Sequence, residues 1–162
     1  MKSYSKLSTL LRKISKKIIP IAIIGCILYI LSFSNFFVKV YGTSMYPTYS
    51  NGDILRIDKN YESISVGDIV IATPTSMIEK IIKRVVAGPG DTIVIVDGLL
   101  YVNDELSPHQ YELISTEYYG CLDEPLALSD NEYFLMGDNR NNSYDSRFFG
   151  PVDIKEIIAK VK

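Results

Sequence analysis

A chain of 162 residues leaves room for one short appendage and one compact domain, so a second enzymatic domain is excluded. The formal net charge is only −2, but six of the 17 basic side chains (Lys2, Lys6, Arg12, Lys13, Lys16 and Lys17) lie in the first 38 residues, which hold no acid. The other 124 residues carry 11 basic against 19 acidic side chains, a balance of −8. So acidic a domain is ill suited to neutralising phosphates, and nucleic acid is excluded as a partner. Neither the two cysteines, Cys26 in an apolar run and Cys121 in a polar one, nor the single histidine predicts a disulfide or a metal site.

Residues 1–17 read as a basic tail. From Ile18 to Val38 no charged residue occurs, and 21 residues at ~1.5 Å rise each are about enough to cross a ~30 Å hydrocarbon core. The stretch predicts a transmembrane helix, with Pro20 tolerated in its first turn and Phe36 and Phe37 near the far interface. The cations ahead of it place the N-terminus in the cytoplasm by the positive-inside rule, so residues 39–162 face outward. A cleavable leader is the rival reading. Against it stand an apolar core longer than the usual ~7–15 residues and the lack of a clear small-x-small site after it.

Beyond Lys39 the chain alternates short β-branched runs with turn signals, which predicts a mainly β, antiparallel domain. The expected strands are Asp53–Asp58, Asp68–Thr73, Ile78–Ala87, Asp91–Asp97, Leu99–Asn103 and Glu132–Gly137. Asp97-Gly98 is a two-residue hairpin signal. Ser107–Asp130 reads as an irregular outer loop, and Ile154–Lys162 as a short helix or strand.

Three clusters can carry chemistry. Gly42-Thr43-Ser44-Met45-Tyr46-Pro47-Thr48 sets a serine on a turn just after the apolar run, where a hydroxyl that merely satisfies the turn is the plain alternative. A nucleophilic serine needs a base, yet His109 stands in the irregular Ser-Pro-His-Gln stretch, and no Gly-x-Ser-x-Gly elbow is present. Lysine serves as base if burial lowers its pKa. Period two puts Ile81, Lys83 and Val85 on one face of the third expected strand and Lys80, Ile82, Arg84 and Val86 on the other. Lys83 and Lys80 both remain candidates, whereas Arg84 cannot release its proton. The third cluster, Gly137 to Arg147, offers Asp145 with Arg147, or Asp138 with Arg140, as bidentate pairs that stiffen a loop. It also offers Ser143 or Ser146 to orient an amine.

In this order behind an apolar segment, the clusters resemble type I signal peptidases of the Gram-positive style. Ser44-Met45-Tyr46-Pro47-Thr48 is similar to the family's Ser-Met-x-Pro-Thr motif, and Gly67-Asp68-Ile69-Val70 to its Gly-Asp-Ile-Val. Lys83-Arg84 with Pro89-Gly90-Asp91 resembles its Lys-Arg and Pro-Gly-Asp motif, and Gly137–Arg147 its Gly-Asp-Asn-Arg to Ser-x-Asp-Ser-Arg motif. Together the motifs span residues 42–150.

The resemblance implies a signal-peptidase-like antiparallel β fold in a single-pass membrane enzyme that removes signal peptides from secreted preproteins. It implies Ser44 as nucleophile and Lys83, not Lys80, as base. Ser143 would hold the lysine and the Asp145/Arg147 pair would brace the loop, with no metal and no cofactor. The Ser44 backbone N–H would be one oxyanion donor. Some members place a second hydroxyl two residues before the nucleophile, where this chain has Gly42. Val38, Val40, Tyr41, Gly42, Met45, Ile81 and Ile82 flank the dyad and are expected to line the substrate groove. The alternatives are a peptidase dedicated to one substrate such as a pilin, and a non-catalytic anchored assembly factor. A scaffold has no use for Ser44, Lys83 and Ser143 together.

Overall fold

The computed structural model describes residue 16, residues 18–29 and residues 36–162. Residues 18–29 are helical. Residues 1–15 and 17 of the basic tail, and residues 30–35 of the expected span, lie outside the described residues. Among the described residues no helix is long and apolar enough to cross a membrane.

From Val38 onward the chain forms one compact unit. Its strands are β1 (Phe37–Lys39), β2 (Ile54–Asp58), β3 (Ile69–Ala72), β4 (Ile81–Ala87), β5 (Thr92–Val96) and β6 (Leu99–Val102). They continue as β7 (Glu105–Leu106), β8 (Leu126–Ala127), β9 (Glu132–Met136), β10 (Val152–Asp153) and β11 (Ile157–Val161). A seven-stranded sheet runs β1-β2-β11-β3-β4-β9-β10 and a four-stranded sheet runs β7-β6-β5-β8. The strand pairs whose register is defined are all antiparallel.

Sequence patterning decides where each strand sits. β3 is buried along its whole length, as its unbroken apolar run demands of a central strand, whereas β2 buries only Leu55 and Ile57. On one face of the large sheet Val70, Val85, Leu135, Val152 and Ile157 pack together. At ~1.5–3 kcal/mol per buried side chain they contribute on the order of 10 kcal/mol before conformational entropy is set against it. A second cluster joins the sheets, with Val86, Phe134 and Met136 of the larger meeting Ile93, Ile95 and Leu100 of the smaller.

The six expected strands appear within three residues of their expected ends. The largest shift is in β4, which starts at Ile81 because residues 73–80 form a loop. Glu156 pins that loop by accepting from the Thr75 N–H at 2.6 Å and from the Thr75 hydroxyl. The Asp97-Gly98 hairpin has φ of 50° and 78° at its two turn residues, the left-handed pair that a type I′ turn requires. The C-terminal stretch opens with a single 3-10 turn at Ile154–Glu156 and continues as a strand, β11, because the slot between β2 and β3 offers pairing on both of its edges. β1, β7, β8 and β10 are only two or three residues long, too short for periodicity to announce them.

Candidate active site

Ser44 sits on a turn built by its neighbours. Gly42 adopts φ of 84°, where a Cβ is disfavoured, and donates its N–H to Asn51 Oδ1 at 3.1 Å. The Tyr46 N–H closes the turn on the Thr43 carbonyl at 3.1 Å, and Met45 drives its side chain into the interior, 2% exposed. That anchor leaves Ser44 half-buried at the surface.

The third cluster clamps the turn from behind. The Asn139 N–H donates to the Ser44 carbonyl at 3.1 Å, Asn139 Nδ2 to the Thr43 carbonyl at 3.1 Å, and Asn142 Nδ2 to Thr43 Oγ1 at 3.1 Å. A Cβ on Gly137 would stand 2.5 Å from the Ser44 carbonyl oxygen and 2.6 Å from Ser143 Cβ. Only glycine permits so close an approach.

Lys83 comes to Ser44 from the sheet. On β4 it pairs with Val70 of β3, and it shares the β4 face that carries Val85 into the apolar cluster. Its Nζ lies 2.7 Å from Ser44 Oγ, and the residue is 4% exposed. Burial penalises the ammonium and lowers the pKa from 10.5 to about 8. Asp145 opposes that shift, Arg147 adds to it, and Asp138 opposes it. No acid among the described residues forms a salt bridge with Lys83.

The Asp145/Arg147 pair is bidentate and fully buried: Nε to Oδ1 at 2.8 Å and Nη2 to Oδ2 at 2.9 Å. Asp145 Oδ2 also accepts from the Gly137 N–H at 2.9 Å, and Arg147 reaches the Tyr118 and Arg140 carbonyls at 2.9 and 2.7 Å. The pair therefore holds both ends of the loop that clamps Ser44. Ser143 is buried beside Gly137, and its Oγ has no hydrogen-bond partner among the described residues. Ser146, the other serine that can orient an amine, instead accepts from the Leu135 N–H at 3.1 Å.

Asp138 pairs with Arg84, not with Arg140. Arg84 Nε and Nη2 reach its two oxygens at 2.9 and 2.8 Å, and the Thr48 hydroxyl donates to it at 2.5 Å. Arg84 also donates to the Gly67 carbonyl at 2.7 Å. One ion pair thus ties together the Ser44 turn, the Lys83 strand and the Gly137 loop. The sequence reading weighed Arg84 only as a base and so missed this role. The signal was its place beside Lys83 together with a buried acid in the third cluster.

A cleft of about 580 Å³ opens beside Ser44 and Lys83, lined among others by Val38, Val40, Tyr41, Met45, Ile81 and Ile82. Gly42 is outside that lining, while Lys39, Ile71, Glu79 and Lys80 are in it. Lys80 is an exposed rim residue. His109 packs against Gly67, and the charges of Arg84 and Arg140 add to burial in lowering its pKa. Its polar contacts run to Ser107 and Arg140 rather than to Ser44.

Residues 11–162 match the model of a family described as signal peptidase, peptidase S26. A probable thylakoidal processing peptidase 2 of Arabidopsis thaliana is 36% identical over 129 residues, which cover 73% of this chain and 34% of that protein. A signal peptidase I of Bacillus caldolyticus is 36% identical over 144 residues, 80% of this chain and 77% of its own length. A crystal structure of a signal peptidase I from Enterococcus faecalis V583 matches with a TM-score of 0.51 and 25% identity, over 60% of this chain and 96% of that one. The chain spans only about a third of the length of the plant relatives it matches.

Proposed function

This chain belongs to the signal peptidase, peptidase S26 family, and on that premise we propose that it is a membrane-anchored serine endopeptidase that removes N-terminal signal peptides from exported preproteins. The observation that carries the proposal is the 2.7 Å approach of the buried Lys83 Nζ to Ser44 Oγ on the edge of an apolar cleft. At that distance a neutral amine accepts the Ser44 O–H, and a pKa of about 8 makes the neutral amine accessible near neutral pH.

In the proposed reaction Ser44 Oγ attacks the scissile carbonyl while its proton passes to Lys83 Nζ. The oxyanion forms against the Ser44 backbone N–H. Collapse of the intermediate breaks the peptide C–N bond. Lys83 returns its proton to the leaving amine and leaves the signal peptide esterified to Ser44. The amine product leaves. Water then gives a proton to Lys83 and attacks the ester, and the bond from Ser44 Oγ to the acyl carbon breaks. Lys83 returns the proton to Ser44 Oγ, and the signal peptide departs as a carboxylic acid. Ser143 Oγ, buried and unpartnered beside Gly137, is the acceptor for the Lys83 ammonium in the charged stages. The Asp145/Arg147 pair keeps the loop in register.

The cleft suits an extended peptide with small side chains entering shallow apolar pockets, its backbone paired along a strand edge. The uncharged stretch 18–38 and the six cations before it support a single membrane span with a cytoplasmic N-terminus and an outward-facing domain. Tethering holds the cleft at the bilayer surface where cleavage sites emerge. The test is incubation of the detergent-solubilised full chain with a signal-peptide-bearing preprotein, wild type against Ser44→Ala. Cleavage after the leader that Ser44→Ala abolishes is expected, and equal cleavage by both would defeat the proposal.

A further inference from the structure

The outer segment Ser107–Asp130 takes no part in lining the cleft. Its stretch His109–Ser115 nevertheless lies along the loop that clamps Ser44. Arg140 Nη2 donates to the His109 carbonyl at 2.6 Å, the Asn141 N–H to Glu112 Oε1 at 3.1 Å, and Asn141 Nδ2 to the Leu113 carbonyl at 2.9 Å. The Ser115 N–H returns a bond to Asn141 Oδ1 at 2.9 Å. Residues 140 and 141 are thereby held on one side by this stretch, while Asn139 and Asn142 hold Thr43 and Ser44 on the other.

Tyr111 stands at the centre of this stretch. Its ring lies 5.4 Å from the guanidinium of Arg84 and 5.4 Å from that of Arg140. Arg84 already has Asp138. Arg140 is fully buried, no carboxylate among the described residues forms a salt bridge with it, and its Nη1 has no hydrogen-bond partner there. Asp138 and Asp145 act on that charge without pairing to it, and the negative face of the Tyr111 ring lies directly against it. The Tyr111 hydroxyl stands beside Thr48, whose own hydroxyl donates to Asp138.

Resting on the reading of Ser44 as nucleophile, we infer that Tyr111 is a positioning residue: its ring offsets the charges of Arg84 and Arg140 and so holds the Gly137–Asn142 loop against the Ser44 turn. Three consequences separate this from a general packing role. The ring matters more than the hydroxyl, the loss falls on kcat rather than KM because Tyr111 does not touch the cleft, and the Ser44 turn loosens when the ring is removed.

The test uses the full chain in detergent with two readouts. One is preprotein cleavage, resolved into kcat and KM. The other is amide hydrogen exchange over residues 43–46. Tyr111→Leu is expected to lower kcat about tenfold with KM within about twofold, and to speed exchange at the turn. Tyr111→Phe is expected to stay within about twofold of wild type in kcat and to leave exchange unchanged. If Tyr111→Leu does not fold, Tyr111→Met takes its place. Wild-type kcat in Tyr111→Leu, a loss in Tyr111→Phe as large as in Tyr111→Leu, a loss confined to KM, or unchanged exchange at the turn would each overturn the inference. If wild type cleaves no preprotein, the proposed function falls, and the exchange comparison alone still decides the role of Tyr111.

Discussion

Replacing Lys83 by methionine removes the cost of holding an amine in an apolar site, and the structure sets the size of the effect. The folded pKa of about 8 lies below the ordinary 10.5. Between these values the unfolded chain binds more protons than the folded one, so the lysine makes stability rise with pH across that window and costs its full amount below pH 8. At ~1.36 kcal/mol per unit the cost near pH 7 is about 3 kcal/mol. The lysine is only 4% exposed, so solvent screening takes little from that figure. Losing the bond to Ser44 takes back about 1 kcal/mol, which leaves Lys83→Met about 2 kcal/mol more stable than wild type near pH 7. By pH ~9.5 wild type recovers about 2 kcal/mol relative to the variant, because most of the window has been crossed.

The assay is urea unfolding of both full chains in detergent at the two pH values. Circular dichroism is the better probe, since the chain has no tryptophan and tyrosine titrates near ~10. Other groups titrate alike in both proteins and cancel in the difference. Parallel pH dependence of the two chains would refute a desolvated lysine.

With Lys83 as base, kcat/KM should rise with pH on one ionisation near 8 and gain about tenfold from pH ~7 to its plateau, because only about a tenth of the amine is neutral at the lower value. The profile should be unchanged in His109→Ala; a limb that disappears with His109 would move the base to histidine. Asp145→Asn leaves Arg147 buried without its counter-charge and should cost about 3–5 kcal/mol, measured by urea unfolding, with loss of activity following loss of the loop. A cost under 1 kcal/mol would remove the pair from its bracing role. In intact cells an impermeant thiol reagent should label the exposed Cys121, and labelling only after membrane disruption would reverse the orientation.

The sequence by itself determined the residues whose chemistry is local. Alternating apolar positions placed Lys83 on the face shared with Ile81 and Val85, and Asp97-Gly98 announced its hairpin. These follow from period and backbone sterics, which act over a few residues. Only the tertiary structure decided which groups meet across long separations. Ser44 and Lys83 are 39 residues apart, and Arg84 finds Asp138 across 54. The acid's choice of Arg84 over the nearer Arg140 is set by sheet register, which puts Arg84 opposite Met136, one residue before the Gly137-Asp138 turn. The shortest strands and the fate of the C-terminal stretch were settled in the same way. A two-residue strand has no period of its own, and β11 is a strand because two partners satisfy its backbone. The support given by Tyr111 was illegible for the same reason: a ring between two guanidinium groups is a property of three segments brought together, and none of them carries it alone.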